Sequence, residues 1–149
     1  MKTSRGIRKL LYLYVAQALR ANVRNRVTRV PAKEFDRIVE RGLARIDPRF
    51  RRRMPNVILV VEAEPPQAGL LGLYQGRPLT ERSVSDPFSV PDRITIYQGP
   101  HERMAHSMKE LESIVEDTVW HEVAHYFGMN ERQVERAERV REARRRRRL

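Results

Sequence analysis

Two histidines and a glutamate stand close together near the carboxyl end of this 149-residue chain. His121 and His125 are four residues apart, so on a helix both would project from one face, one turn apart. Two imidazoles so placed suit a single Zn²⁺, which binds histidine nitrogen at about 2.0–2.1 Å. Glu122 follows the first histidine and, in this pattern, can take a proton from a water on the metal. The spacing therefore predicts a zinc site with an adjacent general base.

Two histidines leave this site one protein ligand short of the usual three. The chain has no cysteine and no histidine after His125, so we expect a carboxylate to complete the site. Glu131 is favoured, because Gly128 lets the chain turn sharply after the helix and return toward the metal. Glu135 and Glu138 remain alternatives on the following helix.

The remaining histidines, His101 and His106, fit no ligand spacing, and we expect both at the surface. The absence of cysteine also excludes disulfides, thiolate nucleophiles and cysteine-type zinc sites. Any metal must therefore be held by histidine, carboxylate, carbonyl or water.

Hydrophobic periodicity places the paired histidines on a long helix. Ser107 opens a capping box that predicts the start of this helix, and apolar residues recur at helical spacing as far as Phe127. Gly128 then stands where a left-handed glycine ends a helix. Asn130 can cap a further helix, which we expect to end in the arginines at 144–148.

The elements that must position this helix are predicted upstream. A helix is expected from 31 to 46, and β-branched runs predict strands at 56–61 and 93–98. A weaker pattern allows a short strand within 69–77, and the prolines of 78–92 indicate a long loop. The segregated order of helices and strands predicts an α+β fold.

The charge of the chain is concentrated at its two ends. The formal net charge is +11, yet residues 1–31 hold eight basic residues and no acid, and 139–149 hold seven arginines and one acid. The middle, 32–138, has a net charge of −3. This distribution weakens the case for a dedicated nucleic-acid-binding fold, whose basic stripe would lie on the folded body. The ends could still bind nucleic acid or an anionic surface weakly, or serve as solvated tails.

Three segments follow from this distribution: a basic extension at 1–30, a domain at 31–140 and an arginine-rich tail at 141–149. The extension has the spacing of an amphipathic helix. Its apolar core, at 10–15, is shorter than that of a signal peptide. No apolar run of about 18 residues exists, so we expect no transmembrane segment and a cytoplasmic location.

The stretch from His121 to Glu131 reads HExxHxxGxxE and resembles the zincin metallopeptidases. The spacing is similar to that of the metzincins, whose third ligand is usually histidine where this chain has Glu131. More closely, the chain resembles the small bacterial zincin-like metallopeptidase family, over about residues 33 to 138. The stretches that carry the resemblance, besides the helix at 116–128, are Pro55–Pro66, Leu71–Gly76, Pro78–Arg82 and Pro91–Tyr97.

The resemblance implies a minimal zincin fold, with a small mixed or antiparallel sheet packed on the active-site helix. It implies Zn²⁺ as cofactor, an acidic third ligand and hydrolysis of a peptide or protein substrate with Glu122 as general base. An extended substrate would lie along an edge strand, for which 93–98 is the candidate. Arg93, Tyr97 and Tyr126 are open candidates for stabilising the oxyanion.

Two other functions remain open. A small zincin has little wall around its cleft, so the chain could be a metal-binding interaction module without turnover. Alternatively, it could associate with nucleic acid through its basic ends.

Overall fold

The computed structural model describes residues 29–82 and 90–148. The amphipathic helix expected within 1–30 therefore lies outside the described residues, apart from its last two positions. The described part contains a 3₁₀ turn at Leu79–Glu81, three strands and five α-helices. In chain order the strands and α-helices are α1 (Ala32–Ala44), α2 (Pro48–Arg51), β1 (Val57–Glu62), β2 (Gly72–Gln75), β3 (Asp92–Tyr97), α3 (Gln98–Met104), α4 (Met108–Tyr126) and α5 (Glu131–Arg146).

The three strands form one small mixed sheet in the order β1-β3-β2. β1 runs parallel to β3, and β2 runs antiparallel to it, so Ile94 pairs with Leu59 on one side and Tyr74 on the other. β3 is therefore the central strand, and β2 lies at an edge. The sheet and the helices confirm the predicted α+β class, with a small mixed sheet packed on the helix that carries the paired histidines.

One face of the sheet packs against α4, and α1 packs on α4. The core cluster joins apolar residues of α1, α4 and β3. The apolar positions of α1 recur every three or four residues, so they form a single stripe that faces α4. β3 contributes alternate side chains to the same layer. The deeply buried apolar residues of this core include Phe35, Ile38, Ile94, Ile96, Leu111, Val115 and Val119.

The predicted boundaries of α4 are confirmed by its caps. The Ser107 hydroxyl accepts a hydrogen bond from the Glu110 amide at 3.1 Å. At the other end Gly128 has a φ of +85°, the left-handed conformation that a glycine adopts readily. α4 is therefore a 19-residue helix with a defined start and end.

α5 begins at a reciprocal capping box. The Asn130 side chain accepts from the Gln133 amide at 3.0 Å, and the Gln133 side chain accepts from the Asn130 amide at 2.8 Å. The helix continues to Arg146, so the first three arginines of the run at which we expected it to end are helical. Arginine favours helix, and Arg145 lies 3.3 Å from Asp117 of α4, which holds this last turn in place.

The turn that Gly99 and Pro100 suggest is instead the first turn of α3. Proline is tolerated there because the first amides of a helix need no intrahelical partner. The Gly99 amide donates to the Ala63 carbonyl at 2.8 Å, which fixes the entry to the helix. No helix in the described part is long and apolar enough to cross a membrane.

His101, expected at the surface, is fully buried on α3. Its Nδ1 donates to the Tyr97 carbonyl at 2.6 Å, and its Nε2 lies 2.9 Å from the Thr118 hydroxyl. The expectation is wrong because a turn at this place would leave no buried face for the histidine, whereas α3 provides one. Burial lowers the pKa of His101 to about 4, against a smaller opposing effect of the Tyr97 carbonyl.

This burial predicts an acid-sensitive fold. An unfolded histidine titrates near 6.5, so between about pH 6.5 and pH 4 the unfolded chain binds a proton that the folded protein excludes. The free energy of unfolding should fall as the pH falls through this range, by roughly 3 kcal/mol in total. We expect His101→Gln to show a flatter pH dependence in urea unfolding of the metal-free protein. His106→Gln, at a half-buried histidine, is the matched control for replacing a histidine with glutamine.

Candidate metal centre

The end of α4 and the start of α5 bring two imidazoles and a carboxylate together. The Nε2 atoms of His121 and His125 are 3.1 Å apart. The Glu131 carboxylate lies 2.9 Å from His125 Nε2 and 3.8 Å from His121 Nε2. Ligand atoms around a tetrahedral zinc stand about 3.3 Å apart, from the usual metal–ligand distances. The spacing of the three groups is therefore close to that of a zinc ligand set.

One oxygen of this group lacks a partner. Glu131 Oε2 is buried and accepts no hydrogen bond in the described part of the chain. A buried carboxylate oxygen without a partner is destabilising unless a cation or donor meets it. A metal ion between Glu131 and the two histidines would meet that oxygen, so the donor set fits Zn²⁺. One ligand atom from each of the three residues lies within 4.8 Å of the others.

The turn between the helices sets the position of Glu131. The Gly128 amide donates to the His125 carbonyl at 2.9 Å, and the Met129 amide donates to the Ala124 carbonyl at 3.1 Å. A Cβ atom on Gly128 would lie 2.3 Å from the Thr80 hydroxyl oxygen. The positive φ and the lack of room for a side chain both require glycine here. The turn that Gly128 makes returns the chain toward the histidines.

The outer nitrogens of the two imidazoles are also held. His121 Nδ1 lies 2.8 Å from a Glu138 carboxylate oxygen, and His125 Nδ1 lies 3.0 Å from the Met129 carbonyl. Such partners orient metal-binding histidines and leave Nε2 to face the metal. Glu138, an alternative third ligand in the sequence, thus contacts the outer side of His121. Glu135, the other alternative, is not in the group of three.

The sequence reasoning missed the orienting role of Glu138, although a signal was present. Glu138 follows Glu131 by seven residues, so both project from one face of α5. A carboxylate two turns beyond the ligand can therefore reach the outer nitrogen of the first histidine.

The charges of the group are strongly coupled. His121 and His125 hold the pKa of Glu131 at about 2, against the effect of burial. Burial lowers the pKa of His121, but the pairs with Glu131 and Glu138 outweigh it and raise that pKa to about 10. The Glu131 carboxylate is therefore ionised at neutral pH, which is the form that binds a cation.

Glu122 lies beside this group, between α4 and the edge strand β2. Its side chain is 7% exposed, and the Tyr74 amide of β2 donates a hydrogen bond to it. Burial raises the pKa of Glu122, while His121 and His125 oppose the rise. A raised pKa brings a carboxylate closer to the range in which a general base works well near neutral pH.

None of the three oxyanion candidates is in the group of three metal-ligating residues. Burial and the charges of Glu62 and Glu122 raise the pKa of Tyr97, so Tyr97 is within electrostatic range of the general base. Arg93 and Tyr97 project from β3 on the face opposite α4, where they line a cavity of about 480 Å³. Arg93 is ion-paired with Glu62 there. Tyr126 is buried, and its hydroxyl donates to the Arg53 carbonyl at 2.9 Å.

The expectation that 93–98 offers a free edge for substrate is wrong. Its strand, β3, is paired on both sides, by β1 and by β2. The alternation of apolar and polar residues in 93–98 indicated a strand. It does not indicate which strands pair with it, because strand order is set by connections between distant parts of the chain. The strand beside Glu122 at the edge of the sheet is β2.

Comparison with known proteins identifies the family of this chain. The model of the family of zincin-like metallopeptidases matches residues 53–140, and the chain belongs to that family. Among solved structures, a conserved hypothetical protein from Thermus thermophilus is similar, with 25% sequence identity and a TM-score of 0.45. The match covers 66% of this chain and 94% of the other. No curated protein matches the chain.

The geometry predicts three different effects of removing carboxylates from α5. Glu131→Ala should weaken zinc binding by more than about 100-fold, because it removes a ligand atom and leaves two histidines. Glu138→Gln should weaken it by about 10- to 100-fold, because it removes only the partner of His121 Nδ1. Glu135→Ala, on the same helix outside the group, is the matched control and should leave the affinity unchanged. Competition with a chromophoric chelator measures all three, and an equal loss in the control would contradict the ligand assignment.

Proposed function

We propose that this protein is a zinc-dependent metallopeptidase that hydrolyses peptide bonds. The observation that supports this best is the group formed by His121, His125 and Glu131, with its buried, unpartnered carboxylate oxygen and Glu122 beside it. Membership of the zincin-like metallopeptidase family agrees with the proposal.

The chemistry divides between the metal and the protein. His121, His125 and Glu131 would hold Zn²⁺. When bound, Zn²⁺ supplies a Lewis acid that polarises a carbonyl oxygen and lowers the pKa of water toward about 7. With Zn²⁺ bound, the Glu131 carboxylate would offset one of the two metal charges, and neutral imidazoles would offset none. The ligand group would then carry one net positive charge, which favours the negative charge that develops on the carbonyl oxygen.

Glu122 moves the protons of the reaction. Its carboxylate would accept a proton from the water that attacks the scissile carbonyl carbon. It would then deliver that proton to the leaving nitrogen as the carbon–nitrogen bond breaks. The hydrogen bond from the Tyr74 amide fixes the Glu122 carboxylate against the edge of the sheet. The carboxylate would therefore accept the proton and deliver it from the same position.

The edge strand β2 is the place where a substrate would bind. An extended peptide can add to a free sheet edge through main-chain hydrogen bonds, and β2 has β3 on one side only within the described sheet. Gly72 and Tyr74 of β2 both contact Glu122. A peptide along β2 would therefore place one of its carbonyl groups beside the general base.

Replacing the general base separates metal binding from hydrolysis. Glu122→Gln preserves the size of the side chain, and Glu122 is not one of the three metal-binding residues. Zinc content should therefore stay near one per chain. Peptide hydrolysis should fall by about 100- to 10,000-fold, the usual contribution of a positioned acid–base group. Elemental mass spectrometry and a quenched-fluorescence peptide library give the two readouts.

Two results would contradict this assignment. Hydrolysis by Glu122→Gln at the wild-type rate would exclude Glu122 as the base. Zinc-loaded wild-type protein that cleaves no member of the library would argue against a peptidase and for a metal-binding interaction module.

The close packing of β2 on α4 predicts that a side chain added at Gly72 lowers activity less than replacing Glu122 does. A Cβ atom at Gly72 would lie 2.9 Å from Glu122 Cγ and 2.8 Å from Thr118 Cγ2. Gly72→Ala should therefore displace the general base and lower kcat by about 10-fold or more, as small misplacements of catalytic groups do, with zinc retained. Gly42→Ala is the matched control, because a Cβ there meets nothing nearer than 3.4 Å. Equal kcat values for the two variants would show that the contact of Gly72 with Glu122 is unimportant.

A further inference from the structure

A groove of about 640 Å³ lies between α2 and α5, and Met129 of the α4–α5 turn lines it. We call it the α2–α5 groove. Two of its large apolar side chains are unusually exposed, Phe50 at 44% and Val140 at 47%. Its apolar lining consists of Ile46, Phe50, Trp120, Met129, Ala137 and Val140.

The rim of the α2–α5 groove is basic. Four of its lining residues are Arg45, Arg136, Arg141 and Arg144. The floor residue Phe50 itself stands within the basic run at 49–53. The fold thus brings Phe50 of this run to the groove that the arginine-rich end of α5 lines, about 90 residues further along the sequence.

Part of this charge has no acidic partner in the described chain. Arg45 and Arg141 pair with Glu116 of α4, at 3.2 and 3.5 Å. No ion pair in the described part involves Arg136 or Arg144, both of which are exposed. The rim therefore retains positive charge that an anionic partner could neutralise.

The single acid that lines the groove in the described chain does not offset this charge. Asp47 is held by Arg49, whose guanidinium lies 2.8 Å from the Asp47 carboxylate. The groove therefore has a positively charged rim and an apolar floor.

The shape of the groove favours a helix as its occupant. Its lining residues on α5 extend from Gln133 to Arg144, which is about 17 Å at the rise of an α-helix. This length matches three turns of a bound helix, whose apolar residues at i, i+3, i+4 and i+7 would lie on the floor.

The aromatic side chains of the groove argue against nucleic acid. The Arg141 guanidinium already covers the Trp120 ring, 4.5 Å from its centroid. Phe50 packs edge-on against Phe127, with centroids 5.4 Å apart. Single-stranded nucleic acid gains much of its affinity from bases stacked on open aromatic faces, and Trp120 offers none on that side.

We propose that the α2–α5 groove binds an acidic amphipathic helix of a partner protein. Its apolar residues contact Phe50 and Val140, and its carboxylates pair with Arg136 and Arg144. The site is distinct from the metal group but adjoins it. Met129 lines the groove, and its carbonyl lies 3.0 Å from His125 Nδ1.

Trp120 gives a direct readout of this proposal, because it is the only tryptophan of the chain and lines the groove. The probe is a synthetic 18-residue peptide with leucine at i, i+3, i+4 and i+7 and glutamate at most other positions. We expect the full-length protein to bind it with a Kd in the micromolar range and a shift in Trp120 emission. A peptide of the same composition, scrambled so that its leucines share no face, should bind at least about 10-fold more weakly.

Two charge-reversal variants separate the groove from the net charge of the protein. Arg136→Glu/Arg144→Glu should weaken the peptide by about 10-fold or more, since two carboxylate contacts become repulsive. Arg139→Glu/Arg148→Glu makes the same change in net charge at exposed positions outside the groove, and should stay within about 2-fold of wild type. Unchanged helical circular dichroism and zinc content in both variants confirm that each is folded.

Three outcomes would overturn the proposal. Equal binding of the scrambled and the amphipathic peptide, or an equal loss of affinity in both double variants, would indicate general charge attraction. The third outcome is a shift of Trp120 emission by a single-stranded RNA 20-mer or by anionic phosphatidylserine vesicles, with no shift by the acidic peptide. That result would assign the groove to nucleic acid or to a lipid surface. None of these readouts depends on peptidase activity.

Discussion

The geometry of the site depends on the ionised carboxylate of Glu131, half-buried against two imidazoles. A carboxylate partly removed from water is stabilised by pairing, and His125 pairs with its Oε1 at 2.9 Å, whereas His121 lies 3.8 Å from its Oε2. The pairing requires α5 to begin one short turn after α4 ends. Gly128 makes this turn by adopting a positive φ, and the Asn130 capping box fixes the first residue of α5. The backbone of a few residues thus sets the positions of all three ligand atoms.

The sheet approaches this site closely at the edge strand β2. Gly72 of β2 leaves room for Glu122, and the Tyr74 amide holds the Glu122 carboxylate. The general base is therefore fixed by the helix that carries it and by the strand at which a substrate would bind. This arrangement explains why a sheet of only three strands is sufficient: it needs one buried face for α4 and one edge beside the metal group.

The parts of this structure that depend on local interactions could be predicted from the sequence. The four-residue spacing of the histidines, the turn at Gly128 and the cap at Asn130 each act within a few residues, and all three are seen in the structure. The parts that depend on distant contacts could not. The central position of β3 follows from a crossover, and the burial of His101 follows from the packing of α3 on α4. The contact of Glu138 with His121 also depends on the relative rotation of two helices, which the seven-residue spacing from Glu131 to Glu138 does not fix.

The attachment of α5 to α4 makes the metal group sensitive to more than its ligands. Val134 is the only fully buried residue of α5 in the described chain, and ion pairs of Arg141 and Arg145 with Glu116 and Asp117 supply further contacts. Most members of these pairs are half-buried, so salt screens them less than it screens pairs in open solvent. Since Glu131 is the first residue of a helix with one fully buried side chain in the described chain, the position of the third ligand depends largely on polar contacts. The centre thus joins two ligands on a well-packed helix to a third on a helix that ion pairs hold in place.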